Sequence, residues 1–557
     1  MFMKKSQNKD KVSFSSLLVG FIMGMLIMAV GAALLFQSVT GKNVFSKVGF
    51  LLGKGKEYIR NFSKEKISNI PIVAVKVKKE TEPVDIRLKI DADQEGHLIN
   101  PMIYGSNLSS KAEFEMDIAK LAKNFGVTNF RFPGGNSLGY RWKKASYDYE
   151  DRFDHAPLSN IENIIKFSQI AGGQLVIQVN LESGTAQEAA EWVRYMNKEA
   201  GFRVEYWELG NEVYGDWDRA YMTGEEYVAV IKEYVELMRK VDSTIKIGAN
   251  WGGIKYQEFD VAVARGAFDD IDFVSYHWYP NHINSRHPYK GRTHPLPEEI
   301  MANSLAVPKM LERFHQLVAE HSPHRKDKIE FTIMEWDGSW DGTASDLHYE
   351  YKGMMWSLAN AIFYANSLGE FARNGITVAN QFTFQEIMFG FVRGWDIEAG
   401  WGGSRWDGKT IRPKGLAFKL LANYFQGHLM SSTLTGSPIY SKEVDWRPDS
   451  YSGDVPYVQS FVSKLADDSA LTIVLTNQHA SDDYTVHISI DGDVRVKPNG
   501  ETWILNGPNL KSQNDGSPGK VGIKKYTISG ISEKFDYVVP AHSVNLLKIP
   551  FDAKLKN

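Results

Sequence analysis

The feature that most constrains this chain is an alternation, repeated eight times, of short apolar and β-branched runs with helical patterns. The runs read, in order, INPMIYGSN, VTNFRFPGGN, GQLVIQVNLESG, VEYWELGNE, IKIGANWGG, DFVSYHWYPN, IEFTIMEWDGSW and GITVANQFTFQE. Between them lie segments such as KAEFEMDIAKLAKNFG, EAAEWVRYMNKEAG, GEEYVAVIKEYVELMRKVD and MMWSLANAIFYANSL, whose apolar residues recur at helical spacing. Strands joined through helices pair in parallel, because a same-direction return needs a long crossover. Eight such units predict an α/β fold, a (β/α)8 TIM barrel with inserted loops.

At 557 residues the chain is too long for one ordinary core, so a second domain is expected. After residue 427 the pattern changes to alternating strands and turns, as in LTIVLTNQ, YTVHISIDG and HSVNLLKIP, which predicts a C-terminal antiparallel β-sandwich. The strand VDIRLKIDAD, ahead of the barrel, is a candidate to complete that sandwich. Residues 17–36, LLVGFIMGMLIMAVGAALLF, carry no charge over the length that spans a bilayer, so an N-terminal transmembrane helix is expected. The resulting division is a cytoplasmic tail and anchor over 1–42, a juxtamembrane helix and linker over 43–82, a barrel over 83–427 with 83–92 as the candidate sandwich strand, and the sandwich over 428–557. A short N-terminal tail before a single span is the usual signal-anchor layout, which sets the large domain outside the cytoplasm, in the periplasm or at the cell surface.

The polar residues gather where the strands end: Asn107, Arg131 and Asn136, Asn180, Asn211 and Glu212, Asn250 and Trp251, His277 and Tyr279, Glu335 and Trp336, and Gln385. In a (β/α)8 barrel these ends converge on one face, where active sites form. Glu212 and Glu335 follow the fourth and seventh strands, and Trp207, Tyr214 and Trp217 surround the first of them in sequence. A salt bridge or a solvated loop accounts for one such Glu; two in aromatic settings predict a catalytic pair. Opposed carboxylates about 5–5.5 Å apart define a retaining glycosidase, one attacking the anomeric carbon while the other gives and later takes a proton. Asn211 is then expected at a sugar hydroxyl, and Tyr279 beside the nucleophile. His277, Asn136, Trp251, Trp336 and Gln385 join them as substrate-binding candidates. Arg131 needs a carboxylate partner, either a catalytic Glu or a structural one. Trp401 and Trp406 form a candidate sugar platform, with ordinary packing as the alternative.

Other chemistries fit poorly. The net charge of −3 and the absence of a basic stripe argue against nucleic acid. With no cysteine there is no thiol nucleophile or thiolate-held metal. PGGNSLGYRW lacks the spacing of a phosphate loop, and His277 and His282 have no HExxH around them, so neither metal nor cofactor is expected. The expected partners are a carbohydrate and, through 17–36, a membrane; a homo-oligomer is neither required nor excluded.

The segments FRFPGGN, YRW, VNLESGTAQEAAEWVRYMN, WELGNE, YHWYPN and EWDGSW resemble clan A glycoside hydrolases, and within them family 51, the α-L-arabinofuranosidases. The resemblance covers roughly residues 84 to 550. It implies Glu212 as acid/base, Glu335 as nucleophile, and Asn211 and Tyr279 as substrate contacts. The family usually carries a Glu-His pair shortly after the first strand, where this chain has YGSNLSS. A different glycan, a transglycosylase, or a catalytically silent glycan-binding module are the alternatives to an arabinofuranosidase.

Overall fold

The structure, a computed structural model, describes residues 84–108, 115–135, 139–147, 160–283, 290–292, 294–340, 354–386, 388–394, 406–443 and 447–553. The span expected over 17–36, the connector 43–82, Asn136 and Trp401 lie outside these residues, as does the side chain of Trp406. Among the described residues no helix is long and apolar enough to cross a membrane.

After a first strand, β1 (Ile86–Leu98), eight strands follow: β2 (Gly105–Asn107), β3 (Asn129–Phe132), β4 (Gln174–Val179), β5 (Tyr206–Leu209), β6 (Lys246–Trp251), β7 (Phe273–Trp278), β8 (Glu330–Trp336) and β9 (Ala379–Gln381). They pair in parallel and in sequence order, and β9 returns to β2, closing the barrel. Helices lie between them, including α1 (Met116–Phe125), α2 (Ile161–Ala171), α3 (Ala186–Arg194), α4 (Gly224–Val241), α5 (Gln257–Ala267), α6 (Val307–His321) and α7 (Leu358–Arg373). Helix α4 shows why such segments start where they do. Thr223 accepts from the Glu226 amide while Glu226 reaches back to the Thr223 amide, satisfying two donors that a helix start leaves open.

Side chains alternate across each barrel strand. Met102, Val176, Tyr206, Phe273, Met334 and Val378 form a plug within the barrel, while Trp207, Val274, Tyr276 and Trp278 point to the helices. Towards the C-terminal ends the inward positions become polar: Arg131, Glu208, Asn250 and Ser275 are all buried. Strand β8 breaks the alternation. Ile333 pairs with Tyr276 and Glu335 with His277, so β8 spends one residue more than β7 over this step, and Met334 is unopposed. Phe331 and Ile333 face outward, so strict alternation sends Glu335 outward too; the bulge turns it inward beside His277 and sends Trp336 out.

A second sheet follows helix α8 (Pro413–Tyr424). Its strands are β10 (His428–Thr435), β11 (Val458–Lys464), β12 (Ala470–Asn477), β13 (Tyr484–Asp491), β14 (Asn499–Asn506), β15 (Gly522–Ser529), β16 (Lys534–Val539) and β17 (Ser543–Ala553), in spatial order β15-β14-β17-β12-β11-β10-β1-β13-β16. The N-terminal strand β1 lies antiparallel to β10 and parallel to β13, so the domain is not wholly antiparallel. Ile86, Leu88, Ile473, Ile488, Leu547 and Ile549 share its core. The opposite faces of β11, β12 and β17 send Phe461, Val474, Val544 and Leu546 into the cluster that also holds the barrel helices, so both domains rest on one continuous core.

Candidate active site

The centre of the site is Arg131. It leaves β3 on an inward position, is fully buried, and uses its whole guanidinium: Nε and Nη2 donate to Glu208 at 2.5 and 3.1 Å, Nη1 donates to Glu335 Oε1 at 2.8 Å and to Asn107 Oδ1 at 3.0 Å, and Nη2 also donates to Asn211 Oδ1 at 2.9 Å. A buried guanidinium is stable only when its charge and donors are matched, and here two carboxylates do so. Burial alone would make Arg131 easier to deprotonate; Glu208 and Glu335 outweigh it and hold it charged. Glu208 Oε1 accepts further bonds from Asn250 and Ser275, at 3.1 and 2.5 Å.

Glu335 is held from its other oxygen by Tyr279, whose hydroxyl donates to Oε2 at 2.9 Å. Burial, and then the negative charge of Glu335 and Glu212, push the Tyr279 hydroxyl well above its usual pKa, so it stays a donor. Across the cleft, Glu212 follows β5 in a left-handed backbone conformation, φ 46°, which costs an L-residue energy and commonly marks functional turns. Its Oε1 lies 2.9 Å from His277 Nδ1, and its Oε2 accepts from Trp217 Nε1 at 2.8 Å. Burial works to raise the Glu212 pKa, but the bonds from His277 and Trp217 and the charge of Arg131 leave it below the usual carboxylate range. The matching effect on His277 is upward: burial opposes its charge, and Glu335 and Glu212 prevail. Each of the two thus favours the charged form of the other.

One carboxylate oxygen each from Glu212 and Glu335 and one His277 nitrogen lie within 4.8 Å of one another. Three such donors have the spacing for a cation. Here, however, both carboxylates accept from protein donors on each oxygen, a pattern that suits a pair of reacting acids.

Of the residues singled out in the sequence, Glu212, Glu335, Asn211, His277, Tyr279 and Arg131 converge. Arg131 bridges both of the options left open for it, a catalytic Glu and a structural one. Trp251 and Trp336 do not converge. Trp251 stacks on Phe268 at 5.9 Å, and Trp336 on Tyr364 at 4.3 Å, both at positions that face the helix layer. Trp207, likewise, packs on Trp192 and lines no cleft. Strand alternation places these three outward. Gln385 lies beyond the end of β9, buried in a short sheet strand opposite Val392. Asn107 and Asn250, named among the strand-end residues, also join the cluster, and Glu208 was missed; the available signal was a Glu in mid-strand, one that an apolar wall tolerates only opposite a cation.

No protein-family model matches the chain. Among curated proteins, the intracellular exo-alpha-(1->5)-L-arabinofuranosidase of Streptomyces lividans is 26% identical over 255 residues, which is 40% of this chain and 37% of that protein. A probable alpha-L-arabinofuranosidase C of Aspergillus terreus is 23% identical over 493 residues, 80% of this chain and 90% of the relative. Among solved structures, the alpha-L-arabinofuranosidase of Thermotoga maritima in its arabinose complex superimposes with a TM-score of 0.70 at 22% identity, over 84% of this chain and all of that one.

Proposed function

We infer that this chain, which is most like the family 51 glycoside hydrolases of clan A, is a retaining glycoside hydrolase that works by double displacement. The observation that carries the reading is the facing pair Glu212 and Glu335, with oxygens within 4.8 Å, on the C-terminal face of the barrel. Glu335 attacks the anomeric carbon as Glu212 gives its proton to the leaving oxygen, and a glycosyl ester forms on Glu335. Glu212, now a carboxylate, takes a proton from water, which attacks the same carbon and frees the sugar. Arg131 and Tyr279 fix the two oxygens of Glu335, and Asn211, oriented by Arg131, is the contact for a sugar hydroxyl.

The relatives named as arabinofuranosidases make an α-L-arabinofuranoside the first substrate to test. We further propose that residues 17–36 anchor the chain in a membrane, with the barrel outside the cytoplasm; the uncharged run supports this. The test incubates the protein with aryl glycosides, arabinofuranosides first, and with fluorinated glycosides that trap the ester, then maps the adduct by mass spectrometry. An adduct on Glu335 is expected. Folded protein that turns over none of them and carries no adduct would overturn the reading, and binding on a glycan array would then favour a silent recognition module.

A further inference from the structure

Glu208 is a buried acid to which the mechanism above gives no task. It lies on β5 and is fully buried, out of reach of any sugar in the cleft. It takes the edge of the Arg131 guanidinium formed by Nε and Nη2, at 2.5 and 3.1 Å, while Glu335 takes Nη1 at 2.8 Å. Asn250 of β6 and Ser275 of β7 also donate to Glu208 Oε1, so its place is set by strands that carry neither Arg131 nor Glu335. Against burial, Glu208 does more than Glu335 to keep Arg131 charged. His277, 3.6 Å from Glu335 Oε2, faces the nucleophile from the cleft with Tyr279 and Glu212, and none of the three is bonded to Glu208.

One carboxylate is enough to neutralise one guanidinium, so the second has to be explained by what happens to the first. In the double displacement, an oxygen of Glu335 bonds to the anomeric carbon. The bond to the leaving oxygen breaks with its electron pair, and Glu212 supplies that oxygen with a proton. Glu335 is then a neutral ester and no longer answers the charge of Arg131. Without Glu208 a buried guanidinium would stand unpaired beside a carbon that carries positive charge in the transition state, and an uncompensated buried charge is strongly unfavourable. With Glu208 in place, Arg131 keeps a full partner. Hydrolysis reverses the change: water bonds to the carbon, its proton goes to Glu212, and the electron pair of the ester bond returns to Glu335.

We propose that Glu208 is a positioning residue that acts through Arg131, as the standing countercharge that lets Glu335 give up its own charge to the glycosyl ester. The inference rests on the hydrolase reading above and assigns Glu208 to ester formation rather than to ester hydrolysis. In the resting enzyme Arg131 has two partners, so replacing Glu208 by Gln still leaves it one. The deficit appears only when Glu335 is esterified.

The experiment uses the full-length wild type, Glu208→Gln and Glu208→Asp with 2-fluoro-α-L-arabinofuranosyl fluoride, or with the 2-fluoro glycosyl fluoride of whichever sugar the wild type turns over. It reads two rate constants, for trapping of the ester and for release of the adduct. In Glu208→Gln, trapping falls about 10²-fold or more, the scale of a buried charge left unpaired, while release falls less than about tenfold. Glu208→Asp keeps the charge at a shorter reach, so both constants change together and their ratio stays within about threefold of wild type. A second readout is chemical denaturation, with Glu335→Gln imitating the neutral ester. The double variant Glu208→Gln/Glu335→Gln loses more in its midpoint than the two single variants summed, because only there does Arg131 lack both carboxylates. A double variant that fails to fold while both singles fold is the same result at its limit. Equal losses in trapping and release, additive midpoints, or a Glu208→Gln protein that does not fold overturns the countercharge role. A folded wild type with neither turnover nor adduct on any sugar overturns the hydrolase reading, and this inference with it.

Discussion

Two carboxylates of one residue type are given different work by their neighbours. Glu335 sits between a permanent cation and a phenol, Glu212 between an imidazole and an indole. Glu335→Gln removes the nucleophile, and kcat on an aryl glycoside should fall about 10³-fold or more, with no adduct from a fluorinated glycoside. Glu212→Ala should cost about 10²–10⁴-fold on substrates with poor leaving groups, far less on a glycosyl fluoride, and azide should restore part of the rate. The Glu212–His277 pair also sets a stability profile with pH. The lowered carboxylate contributes stability present above its unfolded pKa, about 4.3, and lost as pH falls through the folded value. The raised imidazole contributes stability present below its unfolded pKa, about 6.5, and lost as pH rises through the folded value. The joint contribution is thus largest between about pH 4.3 and 6.5, and His277→Gln should narrow the gap in Tm to wild type on either side of that window. Arg131 has a structural duty as well: Arg131→Met strands buried Glu208, and denaturant melts should show a loss of about 3–5 kcal/mol.

At the scale of elements, the site depends on how each strand turns its residues inward. The strand ends were legible: all eight runs in the sequence hold a barrel strand, with Glu335 next to last in β8 and Glu212 just beyond the end of β5. Which residues face the cleft was not legible, because period-2 alternation has a phase that a sequence does not display. Trp251 and Trp336 were assigned by proximity to the strand ends, and alternation put them on the helix side; Glu335 reached the cleft only through the bulge opposite His277. Inward faces are also tightly filled. Gly248 in β6 lies so close to Phe273 that an added Cβ would fall 2.0 Å from its ring. Gly248→Ala should therefore cost about 1–3 kcal/mol by overpacking, read from chemical denaturation.

Across the whole molecule, the sandwich is the support on which the barrel helices rest. Phe461 of β11 presses on α7, where a Cβ at Gly369 would fall 2.4 Å from its ring, and Tyr424 of α8 stacks on Trp503 of β14 at 4.3 Å. Phe461→Ala should cost about 3–5 kcal/mol, and barrel and sandwich should still melt in one calorimetric transition; two separate transitions in the wild type would contradict a shared core. By itself the sequence determined the number and order of the barrel strands, the presence of a second all-β region and the two candidate carboxylates, because local apolar periodicity and the residues at strand ends are written in short windows. Only the tertiary structure decided that Arg131 and Glu208 form one buried pair, that β1 lies parallel to β13, and which tryptophans see solvent. Those facts depend on closure, register and bulges, which join residues from distant parts of the chain and leave no mark in any one of them.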